Sequence, residues 1–114
     1  MDDLKLSNLS QYRCTEGYSN YMGVNVTDGV AYVMNNGYHW FVSDTVIMAR
    51  MTPKIRAEAF LVFKLKVKDK KAIVTIEDGN NNILYTKKYA YTNAEVNELI
   101  IYYTDNVLLL PGEY

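Results

Sequence analysis

The segment that decides the fold is Leu61-Val62-Phe63-Lys64-Leu65-Lys66-Val67. Large apolar side chains occupy every second position, and two of the three positions between them hold lysine. Because successive side chains of a strand point to opposite faces, this period of two predicts a strand with one face toward a core. A β-sheet is therefore the expected centre of the fold.

Two more strands are predicted directly after this segment. Lys68-Asp69-Lys70-Lys71 predicts a polar turn, and residues 72–77 have the composition of a second strand. Asp78-Gly79-Asn80-Asn81-Asn82 is a strong reverse-turn signal, and residues 83–91 then predict a third strand. The three strands should pair antiparallel.

The last part of the chain, residues 92–114, fits two interpretations. Apolar residues between positions 96 and 103 satisfy helical spacing, whereas residues 99–103 are rich in β-forming side chains. A hairpin is favoured, because Thr104-Asp105-Asn106 offers a turn before the apolar run of residues 107–110. Five strands are thereby predicted.

Short helices are expected in the first half of the chain. Residues 4–9 have the spacing of a marginal helix, and a second short helix is predicted over residues 28–35. Thr27 or Asp28 can cap it, because their side-chain oxygens accept bonds from the free amides of a first turn.

The next segment predicts one more helix. Residues 38–42 are interpreted as a strand or a buried turn. Ser43 or Asp44 is expected to cap the helix that follows, and Pro53 should limit it.

These segments together predict an α+β fold. Short N-terminal helices would pack on a roughly five-stranded antiparallel sheet, and a length of 114 residues predicts a single domain over residues 1–114. The acidic start of the chain, and apolar runs all shorter than the ~20 residues that cross a bilayer, predict a cytoplasmic protein without a membrane segment. No cofactor is expected.

Charge is unevenly distributed along the chain. Residues 50–71 hold eight basic and two acidic residues, a net charge of +6, so the remainder of the chain sums to −7. Five of the bases are Lys64, Lys66, Lys68, Lys70 and Lys71. Lysines in a strand and its turn are interpreted first as a solvated edge that resists aggregation. Nucleic-acid binding is the alternative.

Side chains that commonly perform catalysis are scarce. His39 and Cys14 are the single histidine and the single cysteine, so a metal site built from these two residue types is excluded. An enzyme using carboxylates would need Glu16, Asp28 and Asp44 to converge in one cleft. The protein is therefore expected to be non-enzymatic.

Tyrosine is abundant, with eleven residues. A tyrosine presents a large ring and a polar tip at low entropic cost, which suits both cores and binding surfaces. Tyr18, Tyr21 and Tyr38 lie in segments interpreted as loops and are the candidates for a protein-binding surface. The tyrosines expected in the core are Tyr32, Tyr85, Tyr89, Tyr102 and Tyr103.

Several short motifs resemble a known family. In chain order they are Thr15-Glu16, Thr27-Asp28-Gly29-Val30, Trp40 four residues before Asp44, Asp78-Gly79-Asn80, and the ending Leu108-Leu109-Leu110-Pro111-Gly112-Glu113-Tyr114. Together they are similar to a family of small uncharacterised bacterial and phage proteins, a domain of unknown function, in whose ending serine is expected at the position of Gly112. The resemblance implies an accessory gene of a phage or mobile element, and it implies no activity, ligand or catalytic residue.

These observations favour a non-enzymatic protein that acts by protein–protein binding, for example an anti-CRISPR-like inhibitor of a host defence nuclease. The expected partner is a host or phage protein, and the apolar final hairpin could also pair across the two-fold axis of a homodimer. The alternative is a nucleic-acid-binding accessory protein that uses the basic residues 64–71, with a strand tyrosine or phenylalanine as a stacking platform.

Overall fold

The computed structural model describes residues 18–92, 94 and 96–113. Within them, seven strands form one sheet. In chain order they are β1 (Tyr18–Tyr21), β2 (Val24–Thr27), β3 (Phe60–Lys68), β4 (Lys71–Asp78), β5 (Ile83–Tyr89), β6 (Glu98–Thr104) and β7 (Val107–Leu109). Their order across the sheet is β1-β2-β7-β6-β3-β4-β5. The helix predicted over residues 4–9 lies outside the described residues.

Strand β3 lies inside the sheet, and its alternating sequence explains its burial. It pairs antiparallel with β4 on one side and with β6 on the other, so Phe63 faces both Ile76 and Ile101. All three side chains are completely buried, at 0% exposure. Because full burial of such a side chain is worth roughly 1.5–3 kcal/mol, this row is a main source of stability.

The five predicted strands, β3 to β7, are present, and their pairings with one another are antiparallel. This confirms the α+β class with a mostly antiparallel sheet, but the predicted extent was wrong. Strands β1 and β2 enlarge the sheet, and β2 runs parallel to β7. β1 has no regular alternation, and β2, in which Val24 and Val26 alternate with Asn25 and Thr27, has only the four residues that are the minimum for this signal.

The position of β7 also corrects an expectation about dimer formation. β7 lies between β6 and β2. The final hairpin was expected to pair across a two-fold axis, but its two edges are already paired with β3 and β2. Formation of a homodimer by another surface stays a prediction.

Three tight turns join neighbouring antiparallel strands, at Met22-Gly23, Asp69-Lys70 and Asp105-Asn106. Both central residues of each turn have positive φ, between 52° and 86°. This is the type I′ geometry, whose twist matches that of the flanking strands. The turns predicted at residues 68–71 and 104–106 are confirmed.

The turn between β4 and β5 is organised by Asp78. Its carboxylate accepts hydrogen bonds from the backbone N–H of Asn80 at 2.7 Å, the backbone N–H of Asn82 at 3.0 Å and the Asn82 side-chain amide at 2.9 Å. The bonds from Asn82 are the main reason that the pKa of Asp78 is lowered. Asp78 therefore serves the reverse turn that the sequence predicted.

Helical segments lie between β2 and β3. They are α1 (Asp28–Val33), a kinked segment (Met34–Tyr38) in which Asn36 and Gly37 are not helical, α2 (His39–Met51) and α3 (Pro53–Arg56). Thr27 caps α1, since its hydroxyl accepts a bond from the Val30 N–H at 3.3 Å, as predicted. Pro53 begins α3 two residues after α2 ends, which confirms its expected role as a limit.

The prediction for residues 38–44 was wrong. Residues 39–42 are helical, because α2 begins at His39 without a side-chain cap, and Ser43 and Asp44 lie inside it. A short apolar run does not by itself distinguish a strand from a helix. The buried residues of α2 follow helical spacing: Phe41, Val42, Thr45, Val46 and Ala49.

The end of the chain packs against the start of α1. The Glu113 carboxylate accepts hydrogen bonds from the Thr27 hydroxyl at 2.6 Å, the Leu110 N–H at 2.9 Å and the Gly29 N–H at 3.3 Å. A Cβ atom on Gly29 would lie 2.7 Å from Glu113 Oε1, so only glycine fits there without movement. We call this contact the terminal clasp (Thr27, Gly29, Leu110 and Glu113).

Candidate functional site

The helices pack on one face of the sheet. Leu61, Phe63 and Leu65 of β3 form one buried cluster with Phe41 and Val46 of α2. By strand alternation, the intervening side chains of β3 point to the opposite face. We call this opposite side the open face, because the described helices lie on the other side.

Three lysines of the open face converge where β3 ends and β4 begins. Lys66 and Lys68 alternate along β3, and Lys71 faces Lys68 across the turn. Ile73 faces Lys66, and Lys88 of β5 faces Ile73. Because directly opposed Cβ atoms lie about 4.5–5.5 Å apart, these side chains share one small area.

A shallow depression of about 720 Å³ lies in this area. Its lining includes Lys66, Lys68, Lys71, Ile73, Asn97 and Glu98, and we call it the lysine cleft. Ile73 is 42% exposed. The cleft therefore combines an accessible apolar side chain with a border of positive charge.

The cleft lysines lack acidic partners in the described part of the chain. Lys64 pairs with Glu77 at 3.3 Å, whereas the three lysines that line the cleft form no ion pair. Glu98 faces Lys66 across the β3–β6 ladder without pairing with it. The lining itself carries a net charge of +1, and two neighbouring lysines raise the local sum to +3. The lining charges are those of Lys66, Lys68, Lys71, Asp69 and Glu98, and the neighbours are Lys70 and Lys88.

The structure brings together most of the lysines considered for nucleic-acid binding. Lys70 lies in the turn beside the cleft, and Lys64 is half-buried and held by Glu77. Sequence reasoning missed Ile73 and Lys88. A signal for Ile73 was present, because Ile73 lies in the predicted strand of residues 72–77 and two residues after Lys71, so a strand that extends back to Lys71 places both on one face.

The three candidate tyrosines lie in two parts of the fold, with Tyr18 and Tyr21 in β1 and Tyr38 directly before α2. Tyr18 lies in β1, and Tyr21 is half-buried with its ring edge-on to His39 at 5.0 Å between centroids. The expected exposure of Tyr38 is wrong, since it is 4% exposed and its hydroxyl accepts a bond from the Val96 N–H at 3.3 Å. Tyr38 directly precedes α2 and belongs to the buried core cluster.

The core tyrosines are partly covered. Four of the five expected there are partly buried and pack against the core, namely Tyr32, Tyr85, Tyr89 and Tyr103. Tyr102 faces Val62 across the β3–β6 ladder, and its ring is tilted against Phe60 at 5.2 Å.

The carboxylates considered for catalysis have separate structural settings. Asp28 is exposed at the start of α1, and Glu16 lies outside the described residues. Asp44 accepts a hydrogen bond from the Tyr89 hydroxyl and pairs with Lys87 at 3.3 Å, which joins α2 to β5. Burial and the bond to Asp44 raise the pKa of Tyr89.

The described residues provide neither a metal-binding cluster nor a membrane-spanning helix. They contain no group of three or more His, Cys, Asp or Glu side chains placed to hold a metal ion. Among the helices in that part of the chain, none has both the length and the apolar character needed to span a bilayer.

The fold and the cleft define an α+β protein with one mixed sheet and a basic depression on its open face. The chain belongs to a family of unknown function, DUF6876, whose family model matches residues 3–114. No curated protein and no solved structure matches the chain significantly. The resemblance to an uncharacterised domain family is thereby confirmed.

Proposed function

We propose that the protein binds nucleic acid non-enzymatically through the lysine cleft. The observation that carries this proposal is the convergence of Lys66, Lys68 and Lys71 on one depression without an ion pair in the described chain. Side chains with no acidic partner keep their charge available for phosphates, which supply most of the affinity of such proteins.

The spacing of the cleft lysines suits the backbone of a nucleic acid, along which phosphates repeat at regular intervals. Lys66 and Lys68 are alternate residues of one strand, so their Cα atoms are separated by about 6.6 Å. Lys71 and Lys88 extend the charge across two further strands. Ile73 offers an apolar contact for a sugar or a base that lies over the sheet.

Charge asymmetry supports the same proposal. The chain as a whole carries a net charge of −1, but residues 64–71, which lie at and beside the lysine cleft, carry +4. Such a distribution orients an approaching polyanion toward one end of the molecule and raises the association rate at low salt. In this proposal the acidic remainder of the protein repels phosphates, so nucleic acid binds at the cleft and not elsewhere on the surface.

The test is fluorescence anisotropy with labelled single-stranded and duplex oligonucleotides, of DNA and of RNA, between about 50 and 200 mM salt. The variant Lys68→Gln/Lys71→Gln removes a cross-strand pair. It should lower the affinity about tenfold or more. The negative slope of log K against log salt should become less steep by about 1.4–1.8, which corresponds to the loss of two phosphate contacts.

A matched control is Lys54→Gln/Arg56→Gln in α3, which removes the same charge from two exposed residues outside the lysine cleft. It should leave the affinity within about twofold, because the surrounding salt screens distant charges. Equal losses in the two variants, or no binding by the parent protein at low salt, would contradict the proposal.

Protein binding is the second candidate function, and an exposed apolar strip on α2 favours it. Ile47 is 38% exposed and Met51 is 75% exposed, and residues four apart lie on the same face of a helix. In this proposal the protein comes from a phage or mobile element and inhibits a host defence nuclease by contact.

The variant Ile47→Ser/Met51→Ser separates this candidate from nucleic-acid binding. If the α2 strip is the contact, the variant should lose protection of phage in a plaque assay on hosts that carry the nuclease, while anisotropy with oligonucleotides is unchanged. Plaque counts that are the same with and without the parent protein would remove this candidate.

A further inference from the structure

A second cleft, of about 240 Å³, lies at the other end of β3. Its lining comes from α2, the segment around the end of α3, the start of β3 and the β6–β7 turn, and it includes Arg50, Arg56, Glu58, Tyr103, Asp105 and Asn106. We call it the arginine cleft. Its volume is below the range of roughly 300–1,000 Å³ typical for drug-sized ligands, so it fits a small molecule.

Four charged side chains line this cleft, and they do not neutralise one another. Arg50, Arg56, Glu58 and Asp105 form no ion pair and no side-chain hydrogen bond within the described residues. Among the residues that the structure describes, no partner therefore uses their hydrogen-bonding capacity. A guanidinium offers parallel donors that match a carboxylate, and a carboxylate accepts bonds from an ammonium group.

The uncharged polar groups of the cleft are already satisfied. The Tyr103 hydroxyl donates to Asn106 Oδ1 at 3.1 Å, and the Asn106 side-chain amide donates to the Gly23 carbonyl at 3.0 Å. The Thr104 hydroxyl donates to the Ala59 carbonyl at 3.0 Å. These bonds connect the β6–β7 turn to the β1–β2 turn and to the start of β3. This side of the cleft is therefore preformed.

The position of Arg50 depends on the β1–β2 turn. A Cβ atom on Gly23 would lie 2.7 Å from Arg50 Nη1, and Gly23 has a φ of +86°, which disfavours other residues. The guanidinium thus rests directly on the glycine backbone. A side chain added at Gly23 would therefore move the Arg50 guanidinium.

We propose that the arginine cleft binds a small zwitterion. Its carboxylate contacts Arg50 and Arg56, and its ammonium group contacts Glu58 and Asp105. A free α-amino acid is the simplest molecule that carries both groups. The site is separate from the lysine cleft and does not depend on nucleic-acid binding.

The experiment is a titration of the ¹⁵N-labelled protein with free amino acids, followed by two-dimensional NMR. Each amino acid that shifts the amide signals of the cleft is then compared with its N-acetyl form, which lacks the ammonium group, and with its carboxamide, which lacks the carboxylate. Both blocked forms should bind at least about tenfold more weakly, because each removes one charged contact.

Variants of the protein test the same contacts. Arg50→Gln and Glu58→Gln should each weaken binding about tenfold or more, and Lys54→Gln is the control on the same side of the fold. Gly23→Ala keeps every charge but displaces Arg50, so it should also weaken binding, and circular dichroism confirms that it is folded. The proposal is overturned if no amino acid shifts the cleft signals at about 10 mM, or if an N-acetyl form binds as tightly as the free amino acid.

Discussion

Replacing Gly29 by alanine tests the terminal clasp, because the change has two opposing effects. In an ordinary helix, alanine is more favourable than glycine by about 1 kcal/mol. Here the added methyl carbon would lie 2.7 Å from Glu113 Oε1 and 2.7 Å from Leu110 Cδ1. Such overpacking costs about 1–3 kcal/mol, and moving Glu113 away also weakens its bonds to the Thr27 hydroxyl and the Leu110 N–H. We expect the variant to be less stable by about 2 kcal/mol.

Glu113→Ala removes the other side of the same contact. From the described residues the carboxylate accepts hydrogen bonds of the Thr27 hydroxyl and of two backbone N–H groups. Bonds to a charged group are worth about 1.5–3 kcal/mol each, but water can replace part of this at a partly exposed site. The expected loss in the free energy of unfolding is about 3 kcal/mol. In this background, Gly29→Ala should cost at least about 1 kcal/mol less than in the parent, because one of the two close contacts has gone.

Urea unfolding followed by Trp40 fluorescence and far-ultraviolet circular dichroism measures all four members of this cycle. Gly79→Ala is the matched control, since its Cβ atom would lie 3.6 Å from Phe60, an ordinary contact. The reasoning about the clasp would be refuted by a Gly29→Ala protein as stable as the parent. Strictly additive effects of the two changes would refute it equally.

Three further predictions concern the core and the contact between α2 and β5. Phe63→Ala should lower the free energy of unfolding by about 3–5 kcal/mol, because a completely buried ring leaves a cavity in the centre of the sheet, and urea unfolding will measure this. Asp44→Asn should cost about 1 kcal/mol in the same assay, since the ion pair with Lys87 is lost and the bond from Tyr89 is weakened. Because the pKa of Tyr89 is raised from 10.0 in the folded state, the unfolded state releases its proton first, and stability should fall as pH rises above 10.0. Tyr89→Phe should show a smaller fall between about pH 8 and pH 11 in urea titrations, and an identical fall would contradict the assignment.

Local patterns predicted the second half of the fold. The alternation in residues 61–67 has the period of a half-buried strand, and the turn sequences after residues 67 and 103 hold Asp or Asn at positions with positive φ. The cap at Thr27 and the limit at Pro53 were also predicted, because each acts on amide groups only a few residues away. All of these signals concern residues that are close in the chain.

The first half was predicted less well for the same reason. Residues 38–42 are apolar enough for a strand, and the helix becomes evident only from the buried positions Thr45, Val46 and Ala49 that continue its face. The parallel pairing of β2 with β7 joins Asn25 to Val107, and no local period records it. The same reason applies to the candidate site. The sequence shows the lysines, but their position beside Ile73 and Lys88 depends on strand register.

The sequence by itself determined the α+β class, the central strand with its hairpins, and the concentration of positive charge in residues 50–71, because each follows from spacing or composition along the chain. Only the tertiary structure decided that Tyr38 is buried, that the lysines of residues 66–71 line one cleft, and that Glu113 meets Gly29. The physical reason is that burial and charge pairing are set by neighbours in space. In this protein those neighbours come from strands and helices that are distant in the chain.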